Sequence, residues 1–154
     1  MRERVSRIAE PPPTDPCRNE AAALGFAQVL ALEGSAALWS PKVLRAAMGA
    51  HFALDLCEGL AASDLDGLAL PLLAGSSHAH IALDEAVLPF PCAWVLGHEG
   101  QGMSVALQAR CTQVLRIPQP GGEESLNVAA AAAVCLYESM RRNPPSAARA
   151  TSNP

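Results

Sequence analysis

The chain has 154 residues, half of them hydrophobic and few aromatic, with a formal net charge of −4, which is long enough for one domain with a buried core. No apolar run reaches the roughly 18 residues of a membrane span, and the N-terminal arginines have no apolar stretch behind them, so neither a spanning helix nor a secretory signal is predicted and a cytoplasmic location is expected. The negative sign argues against a strong unaided grip on a polyanion: Arg2, Arg4, Arg7 and Arg18 cluster at one end, Arg141, Arg142 and Arg149 at the other, and only Lys42, Arg45, Arg110 and Arg116 lie between.

Residues 1–18 are rich in Arg and Pro, with Pro11-Pro12-Pro13 and Asp15-Pro16. They predict an irregular, disordered lead-in ahead of a domain over 19–142. A helix end fits residues 20–24, and the apolar run at 28–32 predicts a buried strand. Ser40 and Pro41 predict a helix start, as N-cap and first helical residue, with a body over 42–48 that stops at Gly49. Further strands are expected at 52–56, 68–73, 93–96 and 114–117. A helix or turn is expected at 63–66, a helix at 103–110 and the longest helix at 125–140. The tail 143–154, with two prolines and several small residues near its start, is expected to be loose. Strands alternating with helices predict an α/β fold with a parallel sheet.

Five cysteines stand at 17, 57, 92, 111 and 135. Their scattered spacing contains no Cys-x-x-Cys pair, so it predicts reduced, mostly buried thiols rather than a zinc site or a disulfide framework. His78 and His80 have no carboxylate or thiol close by in sequence, and no metal site is expected from them.

Two stretches carry more than packing. Val95-Leu96-Gly97-His98-Glu99-Gly100-Gln101-Gly102 and Ile117-Pro118-Gln119-Pro120-Gly121-Gly122-Glu123-Glu124-Ser125-Leu126-Asn127-Val128 each read as a strand that breaks into a Gly-rich loop before a helix. Glycine tolerates φ > 0 and close approach, so such loops present backbone N–H and C=O groups to a ligand. A tight structural turn also fits each of them. Ser125 fits an N-cap of the last helix, Asn127 an ordinary first-turn polar residue, and Ala129 to Ala133 a helix face small enough for close packing.

In order and spacing the two stretches resemble the second and third motifs of the SpoU-type (TrmH-like) RNA ribose 2′-O-methyltransferases of the SPOUT superfamily, Leu-Gly-x-Glu-Gly-x-Gly and Ile-Pro-x-x-Gly-x-x-x-Ser-Leu-Asn-Val. A weaker likeness extends back to Gly25 through Ser40-Pro41-Lys42-Val43-Leu44-Arg45-Ala46-Ala47-Met48-Gly49-Ala50. The resemblance implies S-adenosyl-L-methionine as cofactor and ribosomal or transfer RNA as substrate. It also implies a homodimer with its sites near the interface, and a deep C-terminal trefoil knot. It assigns Gly97, Gly100, Gly102, Ile117, Pro118, Gly121, Leu126 and Asn127 to the cofactor pocket, with main-chain contacts to adenine at Ile117 and Leu126. Glu99, Ser125 and Asn127 are assigned to the neighbourhood of methyl transfer. It implies no metal, because a sulfonium is already a good leaving group and the protein mainly positions methyl and hydroxyl.

The family's first motif is Asn-x-Gly-x-x-x-Arg, between an Asp-Pro and a Gly-Phe. Here Asp15-Pro16 and Gly25-Phe26 are too close together and the Asn-x-Gly element is missing. The arginine position falls on Asn19. Arg18 is one residue away, about 100° around a helix. The first strand and first motif are therefore expected to be lost, by truncation, a shifted reading frame or divergence. An RNA 2′-O-methyltransferase and a catalytically impaired cofactor-binding dimer module both remain open.

Overall fold

The computed structural model describes residues 7–9, 21–98, 102–121 and 126–144. Short apolar runs become strands: β1 (Arg7–Ala9), β2 (Gln28–Leu32), β3 (Asp55–Leu60), β4 (Leu72–Gly75), β5 (Ile81–Ala82), β6 (Ala93–Val95) and β7 (Gln113–Arg116). They form one sheet in the order β3-β2-β1-β6-β4-β7-β5, and every neighbouring pair is parallel. The helical elements are a turn at residues 21–23 (α1), α2 (Pro41–Ala46), α3 (Val105–Gln108) and α4 (Val128–Arg142).

The inner strands β2, β4 and β6 are largely apolar because both sheet faces are covered there. Alternation sends neighbouring residues to opposite sides. Val29, Leu73, Trp94 and Leu115 join α4's Val128, Ala132, Cys135 and Leu136 in one core. Leu30, Leu32, Leu72, Ala93 and Val95 join Leu65 and Leu107 in the other. On α4 the buried residues Val128, Ala132, Cys135, Leu136 and Ser139 recur at helical spacing. Inside the first core the Trp94 indole N–H donates to Ser139 Oγ at 2.9 Å, which ties β6 to the last helix. The far end of α4 is tied down by Arg142. Its guanidinium pairs with Glu138 at 2.6 Å and donates to the carbonyls of Leu83, Asp84 and Ala86.

The strand expected to be lost is present. β1 lies inside the stretch expected to be an irregular lead-in, and it pairs with β2 on one side and β6 on the other. Three residues are too few to show a period. A central strand needs no more, because both neighbours supply its ladder. Other boundaries moved for local reasons. The strand expected at 52–56 is β3, because Gly49 (φ 91) starts a 3-10 turn over Ala50–Phe52. β3 is an edge strand and mostly polar or half-exposed, so its sequence signal is weak. The strand expected at 68–73 starts at Leu72, directly after Pro71, which has no N–H to give a ladder. The helix expected at 103–110 shortens to α3, with the Ser104 hydroxyl accepting from Leu107 N. Ser40 does precede α2 with Pro41 at its first position, although its hydroxyl makes no cap bond. The described cysteines are free; Cys92 and Cys135 are buried, and Cys57 and Cys111 are half-buried.

Candidate functional site

With all strands parallel, their carboxyl ends share one edge of the sheet, where open α/β sheets bind ligands. There the loops after β4, β6 and β7 converge with the start of α4 on a cleft of about 560 Å³, a size that suits a small-molecule ligand. β4 contributes Gly75, Ser76, Ser77 and His78. β6 contributes Leu96, Gly97 and His98, and the returning side of its loop Gly102 and Met103. Gln108 comes from α3; Leu115, Ile117 and Gln119 from β7 and its exit; Leu126, Val128 and Ala131 from the start of α4. Ser76 N donates to Leu115 O at 2.9 Å and locks the β4 exit to β7.

The loop after β6 is closed by its own main chain. His98 N donates to Gly102 O at 3.0 Å, and Gly102 N donates to His98 O at 2.7 Å. Gly102 sits at φ +66, a conformation that favours glycine. Gly97 is required for another reason: its φ is ordinary, but a Cβ there would meet the main chain of Gly102 and Met103. The close approach anticipated at Gly97 is thus to the chain's own loop.

Of the residues assigned from sequence, Gly97, Gly102, Ile117 and Leu126 line this cleft. Pro118 faces a second cleft of about 490 Å³, shared with Leu83, Val134 and Tyr137, and Ile117 is the wall between the two. Gly121 is exposed and lines neither. Asn127, expected inside the first turn, is instead the N-cap of α4: its Oδ1 accepts from Ala129 N at 3.0 Å and Ala130 N at 3.3 Å. That corrects the reading of Ser125 as the cap and moves the helix start to Val128. Asn is as good a cap as Ser. Glu99, Gly100, Ser125 and Arg18 lie outside the described residues.

Sequence reasoning missed Ser76, Ser77 and His78. The available signal was the apolar run Leu72-Leu73-Ala74 breaking into Gly75-Ser76-Ser77, a strand-to-loop break like the two that were noticed. The clearly shifted ionisations lie away from the cleft. Burial pushes the Cys135 thiol up to about 12 and that of Cys111 to about 11. Among the described residues, no group of three or more His, Cys, Asp or Glu side chains comes together as a metal site would require.

The walls suit S-adenosylmethionine. Leu96, Leu115, Ile117 and Leu126 supply apolar surface for a flat base, while Gly75, Gly97 and Gly102 keep side chains out of the space between them. Residues 17–137 match the family described as the SpoU rRNA Methylase family.

The chain belongs to that family.

Its SpoU relatives include the 23S rRNA (guanosine-2′-O-)-methyltransferase RlmB of Bordetella pertussis, 56% identical over 50 residues, which covers 32% of this chain and 20% of that one. The RlmB of Pseudomonas syringae pv. tomato is 29% identical over 139 residues, covering 88% of this chain and 56% of that one. The SpoU methyltransferase AviRb from Streptomyces viridochromogenes, solved in complex with AdoMet, superposes with a TM-score of 0.80 at 25% identity, over 92% of this chain and 59% of that one. The chain thus spans a little over half the length of these last two relatives.

Proposed function

We propose that the cleft holds S-adenosylmethionine and that the chain is the methyl-transfer domain of an RNA ribose 2′-O-methyltransferase. One observation carries the reading: Gly97, Gly102, Ile117 and Leu126, drawn from two separate motifs, meet in one cleft at the carboxyl edge of the sheet. The AdoMet complex of AviRb and the guanosine 2′-O specificity in the name RlmB support it. Main chain at Gly97, Ile117 and Leu126 holds the cofactor. When bound, the cofactor supplies an electrophilic methyl group, and its sulfur departs as a neutral thioether. Asn127 sets the start of α4 and so fixes where Leu126 presents its backbone. Glu99 and Ser125, outside the described residues, keep the roles near methyl transfer that the resemblance assigns them. No side chain here replaces the family's arginine in register; Arg18 is the nearest candidate.

The C-terminal segment is proposed to thread as a trefoil knot, which fits the insertion of β6 between β1 and β4. A homodimer with the outer face of α4 near its interface fits the exposure of Val134 and Tyr137 beside the second cleft. The working location is the cytoplasm, where ribosomal and transfer RNA are met; no described helix is long and apolar enough to cross a membrane.

A second reading, a cofactor-binding module with impaired catalysis, is favoured by the short segment between Asp15-Pro16 and Gly25-Phe26. Loss of a positioned cation costs on the order of a hundredfold in rate. Calorimetry with S-adenosylmethionine and its demethylated product tests the pocket; absence of heat at millimolar ligand refutes it. Tritiated-methyl incorporation into ribosomal and transfer RNA, with Arg18→Ala in parallel, separates the two readings. Very weak incorporation is expected from this chain. Robust incorporation abolished by Arg18→Ala makes Arg18 the catalytic arginine.

A further inference from the structure

The segment between β2 and β3 is unlike the rest of the molecule. From Gly34 to Leu54 it contains no Asp or Glu, in a chain that has 15 of them, and it carries Lys42, Arg45 and His51. Among the described residues, Arg110 is paired with Asp66, and Arg141 and Arg142 with Glu138. Lys42 and Arg45, like Arg116, make no ion pair with another described residue. They lie one turn apart on α2, whose buried side is Val43. The same segment exposes large apolar side chains: Trp39 is 55% exposed, Met48 85% and Phe52 92%. Free hydration of three such groups is costly unless something covers them.

The two ends of the segment are held together. The 3-10 turn Ala50–Phe52 folds back on the start of the segment: His51 Nε2 donates to Leu38 O at 2.7 Å, and the His51 and Trp39 rings lie 5.0 Å apart. Glu58 of neighbouring β3 is turned to the Leu38 amide, which it accepts from, so its charge is partly engaged there. The segment leaves the carboxyl end of β2, the edge of the sheet that also carries the cleft. Cations interleaved with exposed aromatics match single-stranded nucleic acid, whose phosphates seek the charges while its bases stack on rings. A protein partner would account for the apolar groups but not for unpaired cations within an acid-free run of an acidic chain.

We propose that Trp39, Lys42, Arg45, Met48 and Phe52 form a platform for single-stranded RNA flanking the nucleotide presented to the cleft. This inference rests on the proposed function for the identity of the polymer. The platform supplies local attraction in a chain whose net charge supplies none.

The test is fluorescence anisotropy of a labelled mixed-sequence single-stranded oligoribonucleotide on the full chain, titrated across salt, with calorimetry of S-adenosylmethionine on the same samples. Lys42→Gln with Arg45→Gln should lower the salt slope by about 1.4, since each single-strand phosphate contact contributes roughly 0.7. Phe52→Ala, which removes a ring that is almost fully solvated, should weaken RNA binding roughly tenfold without lowering the unfolding temperature. Cofactor affinity should be unchanged in both. RNA binding that survives both changes with the original slope overturns the platform. A wild-type chain that binds cofactor but no RNA overturns it too, and leaves the cleft reading intact. RNA binding that depends on these residues in a chain that binds no cofactor supports the platform and removes the proposed function. Light scattering gives the remaining outcome: if Phe52→Ala changes the mass of the particle and not its RNA affinity, the surface is a self-association face and the proposal fails.

Discussion

A Cβ on Gly97 would stand 2.6 Å from the carbonyl carbon of Gly102 and 2.7 Å from both Gly102 O and Met103 N. All three are main-chain atoms of the same loop, held by the His98–Gly102 hydrogen-bond pair. They cannot swing aside as a side-chain tip would, so the smallest substitution must move the loop that walls the cleft. Gly97→Ala is therefore expected to weaken S-adenosylmethionine binding by on the order of tenfold or more, about 1.4 kcal/mol per factor of ten, as read by calorimetry. Gly121→Ala is the control: nothing lies within 4 Å of the added carbon, and affinity should hold.

Ser139→Ala tests the tie between β6 and α4. Trp94 and Ser139 are both fully buried, and the substitution leaves the indole N–H with no acceptor from that residue. A buried donor left unsatisfied costs about 1–3 kcal/mol. Urea unfolding should show a loss of that size with an unchanged slope. A stability equal to wild type would mean that the indole finds another acceptor.

Acid should loosen the end of α4. Hydrogen bonding to Arg141 is the largest cause holding the Glu138 carboxyl down at about 2, from an ordinary value of 4.5, with Arg142 adding to it. A carboxyl depressed in the folded state stabilises fully above its unfolded value, and that contribution fades as pH falls toward the folded one. Thermal unfolding followed from pH 5 downward should thus lose a stabilising contribution between about 4.5 and 2. Glu138→Gln should show a shallower decline in that window. The ion pair with Arg141 is partly solvated, so the effect is small. Equal slopes in the two proteins would contradict the assignment.

Burial keeps three thiols protonated at neutral pH: Cys135 is pushed to about 12, Cys111 to about 11, and Cys92 is raised. The thiolate is the reactive form. Iodoacetamide at neutral pH should leave these three unmodified in the native protein and alkylate all of them in denaturant, as mass spectrometry of peptides would report. Rapid native labelling of Cys135 would mean that α4 opens readily from the sheet.

Much of the architecture is legible in the residues themselves. The apolar runs at 28–32 and 93–95 are strands because a parallel sheet covered on both faces needs continuous hydrophobicity, a strong local signal. The two Gly-rich motifs announce the cleft because backbone-built sites depend on glycines at fixed spacing, and spacing survives in sequence. What needed the tertiary structure is of another kind. β1 is three residues long and owes its existence to β2 and β6, both remote in sequence, so nothing local in Arg7-Ile8-Ala9 marks it. The role of Gly97 depends on where Gly102 and Met103 return, that of Asn127 on where α4 begins, and the entry of Ser76 into the cleft on β4 lying between β6 and β7. Chemistry at fixed local spacing can be read along a chain, whereas a contact between residues brought together only by strand order exists once the sheet has formed.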